Sequence, residues 1–117
     1  MSRKQDHILS LTTNLTELSK NESKSMFSKV LNEGMHGIGF SPYLEGQEPG
    51  EPISEDQIRR RMAIIKPHVK WIRSFSCTEG NEFIPKIAKE FGLKTLVGAW
   101  LGSNEEKNAA EIQGLKK

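Results

Sequence analysis

The chain has 117 residues, of which 35% are hydrophobic and 27% charged, with 10 glycines, 5 prolines and a formal net charge of +2. Those values fit one globular domain and exclude collagenous, low-complexity and disulfide-built classes, and the charge is too small to argue for nucleic acid or an anionic membrane surface as partner. Cys77 is the single cysteine, so no internal disulfide forms and a reducing compartment is the default.

Met1-Ser2-Arg3-Lys4 is basic, but Gln5, Asp6, Thr12, Thr13 and Asn14 interrupt any continuous apolar signal core, so a cytoplasmic location is expected. No apolar run reaches the length needed to span a bilayer. Within residues 1–34, Ile8, Leu11, Leu15 and Leu18 fall at helical spacing, as do Met26, Phe27, Val30 and Leu31, while Asn and Ser cluster around Lys20 to Ser25. The spacing predicts an N-terminal helical extension of two short helices, the second closed by Gly34. It carries no catalytic pattern.

From residue 35 the punctuation becomes regular. The apolar stretch Met35-His36-Gly37-Ile38-Gly39-Phe40 breaks off at Ser41-Pro42-Tyr43 into a polar, glycine-containing loop, which marks a strand end. Ser54 with Gln57 predicts a helix start, Ile58, Met62 and Ile65 form its apolar stripe, and Pro67 forces a stop. Arg59-Arg60-Arg61 lies inside that helix and is read as a solvated face. A second strand follows at Trp71–Phe75. Asn81 then caps a helix that buries Ile84, Ile87, Ala88 and Phe91 and closes at Gly92. A third strand covers Thr95–Ala99, and Ser103 with Glu106 opens a third helix bearing Ile112 and Leu115. Strands recurring every 25 to 35 residues or about that match one crossover unit, so they should be parallel. The fold class is therefore α/β: the first three βα units of a partial (β/α)8 TIM barrel over residues 35–117. A freestanding three-layer sandwich fits the same periodicity.

Gly37-Ile38-Gly39-Phe40-Ser41-Pro42-Tyr43, Ile72-Arg73-Ser74-Phe75-Ser76-Cys77 and Leu96-Val97-Gly98-Ala99-Trp100-Leu101-Gly102 together resemble the first three strands of glycoside hydrolase family 17. That resemblance implies a β-1,3-glucanase-like hydrolase on a (β/α)8 barrel, acting on β-glucan by a retaining mechanism. Such a mechanism needs two glutamates roughly 5 to 5.5 Å apart. The family places them at the ends of the fourth and seventh strands, and a closed barrel needs eight units and typically about 250 residues. Neither role transfers to a residue of this sequence, so the expectation is a glycosidase fragment that is inactive alone. No cofactor is implied. His7, His36 and His68 lack metal-ligand spacing, so no metal is expected either.

Gly80-Asn81-Glu82 imitates the Gly-Asn-Glu in which the family presents its acid, but it follows the second strand, where a first-turn glutamate is explained by the helix dipole. Glu45, Glu48 and Glu79 are read as solvated loop charges. The candidate substrate-binding residues are Phe40, Tyr43, Arg73, Phe75 and Trp100. Side chains alternate along a strand, and similarity to the family's strands points Phe40, Arg73 and Phe75 into the barrel, while Tyr43 and Trp100 sit past strand ends, able to stack on glucose rings. Cys77 is expected to be a small buried residue. The alternative function is a non-catalytic βαβαβα module that binds oligosaccharide or a partner chain. An open edge at the third strand would invite self-association.

Overall fold

A computed structural model of the chain describes residues 15–117. The chain divides into two units, Met1–Glu33 and Gly34–Lys117, each described by itself.

In the first unit, Leu15–Glu17 form one 3-10 turn and α1 spans Lys20–Glu33. The helix runs straight through the Ser/Asn-rich cluster that the sequence suggested as a break. Ser19 explains it: its hydroxyl accepts from the Glu22 backbone N–H at 3.2 Å, while the Glu22 carboxylate accepts from the Ser19 N–H at 3.1 Å. This reciprocal capping box satisfies two otherwise orphaned amide donors. Gly34 follows the helix with φ +86°, as expected for a left-handed closing residue. The expected helix on Ile8, Leu11, Leu15 and Leu18 lies largely outside the described residues.

The second unit is an α/β assembly on a three-stranded sheet. Its elements are β1 (Met35–Gly39), α2 (Glu55–Ile65), β2 (Val69–Arg73), α3 (Ile84–Glu90), β3 (Lys94–Leu96) and α4 (Glu105–Leu115), with 3-10 turns at Lys66–His68 and Asn81–Phe83. The sheet order is β1-β2-β3 and both pairings are parallel, with Ile38 opposite Ile72 and Arg73 opposite Leu96. The ladder continues past the strands, since the Phe40 N–H donates to the Arg73 carbonyl and the Ser74 N–H to the Leu96 carbonyl. β2 has the expected length but lies two residues earlier, at Val69–Arg73, and β3 is only three residues where five were expected.

Burial follows the pleat. Ile72 and Ser74 are fully buried, and they alternate with Trp71, Arg73 and Phe75, which are half-buried or exposed. The core gathers Phe40, Ile53, Ile58, Met62, Val69, Ile72, Ile84, Ile87, Ala88 and Leu93, placing the buried faces of α2 and α3 against one side of the sheet. A close-packed apolar centre of this kind supplies most of the driving force for folding.

Local chemistry sets the helix ends. Ser54 caps α2 by accepting from the Gln57 N–H at 3.1 Å, and the α-helix stops at Ile65, where Pro67 continues it only as a 3-10 turn. Gly92 closes α3 with φ +73°, and the Leu93 N–H donates back to the Ala88 carbonyl, a six-to-one bond that satisfies a terminal carbonyl. Arg59 of α2 forks onto Glu90 of α3, with both nitrogen–oxygen distances at 3.1 Å, so the arginine run is not wholly a solvated face.

Two expected caps differ. Asn81 opens a 3-10 turn that Gly80, at φ +95°, precedes, and α3 itself starts from Phe83 without a side-chain cap. Asn104 caps α4, accepting from the Lys107 N–H at 3.0 Å, where Ser103 with Glu106 had been expected. Ile112 and Leu115 of α4 are exposed, and its buried residue is Glu111. Among the described residues, no helix is long and apolar enough to cross a membrane.

Candidate functional site

Parallel α/β sheets collect ligands beyond the carboxyl ends of their strands, where the loops diverge. That end of this sheet holds a cleft of about 710 Å³. Its walls come from the segments after all three strands: Phe40–Tyr43 with Pro49 and Gly50, Phe75–Asn81, and Trp100, with Lys107, Ala110 and Glu111 of α4 closing the remaining side.

Four of the five candidate binding residues line this cleft, in different states. Trp100 is 68% exposed and presents its indole openly. Phe75 is partly exposed, and its ring lies over Gly39, where a Cβ would stand 3.1 Å from Phe75 Cζ. Tyr43 is half-buried against the core, and its hydroxyl accepts from the Asn81 side-chain amide at 3.2 Å, so it holds two cleft loops together. Phe40 is 5% exposed and packs in the core with Ile72. The expectation that Phe40 shares a face with Arg73 and Phe75 is corrected by the register, which pairs Ile38 with Ile72 and so puts residue 40 on the helix-covered side.

Arg73 stands apart from the cleft lining. It is exposed, and its guanidinium carbon lies 5.0 Å from the centroid of the Phe75 ring, close enough for a cation–π contact. The same face carries Trp71, with the His36 ring stacked on it at 6.1 Å and the Lys94 ammonium 5.4 Å from its centroid. Arg73 therefore supports a cleft aromatic from behind.

The loop after β1 is anchored by a residue that the sequence suggested only as part of a cap. The Gln57 side-chain amide donates to the Pro42 carbonyl at 2.8 Å and to Gln47 Oε1 at 2.6 Å. Glu82, the imitation acid, is exposed and accepts from the Gly80 N–H at 2.8 Å, a local turn contact. Glu79 is exposed at the cleft wall, with φ +58° and its backbone carbonyl accepting from the Ile53 N–H at 3.0 Å.

Glu111 was missed. Its carboxylate is 4% exposed and accepts four hydrogen bonds: from Ser76 Oγ at 2.5 Å and Thr78 Oγ1 at 2.9 Å on one oxygen, and from the Cys77 N–H at 2.7 Å and the Trp100 N–H at 3.2 Å on the other. Burial by itself would raise the pKa of this carboxyl; the donors from Ser76, Cys77, Thr78 and Trp100 outweigh it and hold the group below the ordinary glutamate value. It is thus an anion with its lone pairs occupied, unsuited to donating a proton. Cys77 is buried, and burial followed by the negative charges of Glu111 and Glu82 pushes its thiol up, the opposite of what a nucleophilic thiolate needs.

No family model, curated protein or solved structure matches this chain.

Proposed function

We propose that the second unit is a glycoside hydrolase family 17-like portion of a (β/α)8 barrel, whose strand-end cleft binds β-glucan oligosaccharide, and that the described residues bind without cleaving. The observation that carries this reading is the cleft itself. An exposed Trp100 and a partly exposed Phe75 flank an opening that also presents Ser76, Thr78, Glu79 and Lys107. Sugars have apolar ring faces and hydroxyl-bearing edges, so flat aromatic surfaces beside hydrogen-bonding groups suit them. The position at the carboxyl ends of parallel strands fits the side on which barrel enzymes bind substrate.

Two carboxylates line the cleft, Glu79 and Glu111. A retaining mechanism needs one glutamate free to protonate the leaving oxygen and another free to attack. Glu111 is saturated by four donors, which is why binding, and not turnover, is assigned here. The experiment is titration of laminari-oligosaccharide followed by tryptophan fluorescence, with a hydrolysis assay in parallel. Saturable quenching without new reducing ends is the expected result. Turnover abolished by Glu82→Gln or Glu79→Gln would overturn the assignment of roles.

A further inference from the structure

Trp100 is the most exposed large apolar side chain of the described residues, yet its backbone is tied to a buried charge. An exposed indole gains nothing from core packing, so another group must hold the chain around it. On this chain that group is Glu111, reaching from α4 to the segment after β2 and the segment after β3 at once. Gly114, one turn further along α4, is where the helix backbone comes against the Cys77 carbonyl; a Cβ there would collide with it. The close approach brings the Glu111 carboxylate within reach of the Cys77 amide.

We propose that Glu111 is the positioning residue of the cleft: one buried carboxylate fixes the Ser76–Thr78 segment and Trp100 relative to each other, and so presets the wall on which the ligand stacks. The ligand part of this inference rests on the oligosaccharide assignment, while the positioning part stands on the four hydrogen bonds. Preorganisation of this sort raises affinity by removing ordering costs from the binding step. Hydrogen bonds to a charged acceptor are the strong class, and an isosteric amide cannot replace them because its NH₂ would face the Cys77 or the Ser76 donors.

Acid should release the clamp. The other ionisable groups at this end are Cys77 beside the carboxylate, Glu82 acting on Cys77, and Glu79 and Lys107 in the cleft wall. None of these ionisable side chains donates a hydrogen bond to Glu111, the Cys77 thiol facing the Gly98 carbonyl instead, so the backbone amides of Cys77 and Trp100 report its protonation selectively.

The test is nuclear magnetic resonance of the ligand-free protein. In the wild type, the amide protons of Cys77 and Trp100 are expected to titrate together, with one midpoint below the ordinary glutamate range. In Glu111→Gln, both amides are expected to exchange with solvent faster by about tenfold or more, while the Phe40 and Ser74 amides, which continue the strand ladder, stay unchanged. Independent titration of the two wild-type amides, or unchanged exchange in the variant, would overturn the proposal. Should Glu111→Gln fail to fold, the wild-type titration and Thr78→Val decide it, the latter with a smaller change in the same direction. Laminari-oligosaccharide is then titrated into both proteins. Weaker binding by the variant supports the full inference, equal binding refutes the presetting of the wall, and no binding by either protein refutes the oligosaccharide assignment while the amide data still judge the clamp.

Discussion

Gly37 lies directly beneath Trp71: a Cβ at position 37 would come to 2.8 Å from Trp71 Cβ and 2.9 Å from the Trp71 carbonyl oxygen. Glycine is required there by space and not by backbone conformation. The missing side chain leaves room for Trp71 of β2 against β1, and Gly39 does the same beneath Phe75, just past the end of β2. Gly37→Ala should therefore destabilise the fold by about 1–3 kcal/mol, the range for forcing extra volume into a packed contact. Urea denaturation, with an unchanged slope and a lower midpoint, checks it.

Gln57 is a polar residue held at 9% exposure by the loop it secures. Gln57→Leu leaves the Pro42 carbonyl without its 2.8 Å donor, and should cost about 1–3 kcal/mol as an unsatisfied buried acceptor. Thermal melting measures the loss. Loosening of the Pro42–Tyr43 turn should also appear as increased mobility of the Tyr43 ring.

Met62, fully buried between the helices and the sheet, gives a contrasting case. Met62→Ala should destabilise by about 2–5 kcal/mol through lost burial and the cavity left behind. Trp100→Ala, by comparison, should leave the melting temperature nearly unchanged, because that side chain is 68% exposed.

Much of this fold is legible in the chain. The stripe Ile58, Met62, Ile65 and the run Ile84, Ile87, Ala88 announce helices, and Pro67 and Gly92 end them for reasons that local sterics dictate. What escaped notice has physical causes too. Ser103 and Asn104 are adjacent and both able to cap, and only the turn geometry selects Asn104. α1 passes through a Ser/Asn-rich stretch because Ser19 and Glu22 cap each other, a pairing visible in the sequence as Ser-x-x-Glu but overshadowed by the composition. Phe40 faces away from Arg73 and Phe75 because the register between strands, Ile38 opposite Ile72, is not visible in either strand's own alternation.

Glu111 was hidden by its neighbours. Ile112 and Leu115 suggested the buried side of α4, whereas the helix turns its carboxylate inward and leaves both apolar residues exposed. The available signal was the donor-rich Ser76-Cys77-Thr78 segment after the second strand, which needs an acceptor if it is to be buried.

The pH dependence follows from that carboxylate. Its folded pKa lies below its unfolded value, so its contribution to stability is complete above the ordinary glutamate range and is lost as the pH falls through the folded value. Stability between pH 7 and 5 should not be reduced by this group, and the loss should begin below. Comparison of wild type and Glu111→Gln across pH 3 to 7 or so by urea midpoints isolates it: the two curves should converge in acid.

The most direct measurement of the central claim is calorimetric titration of laminari-oligosaccharide into the wild type and into Trp100→Ala. Saturable one-to-one binding that weakens by about tenfold or more in the variant is the outcome the cleft predicts, as for the loss of an aromatic anchor at the centre of a contact. Absence of binding by a folded wild-type protein, or equal affinity in both, would contradict it.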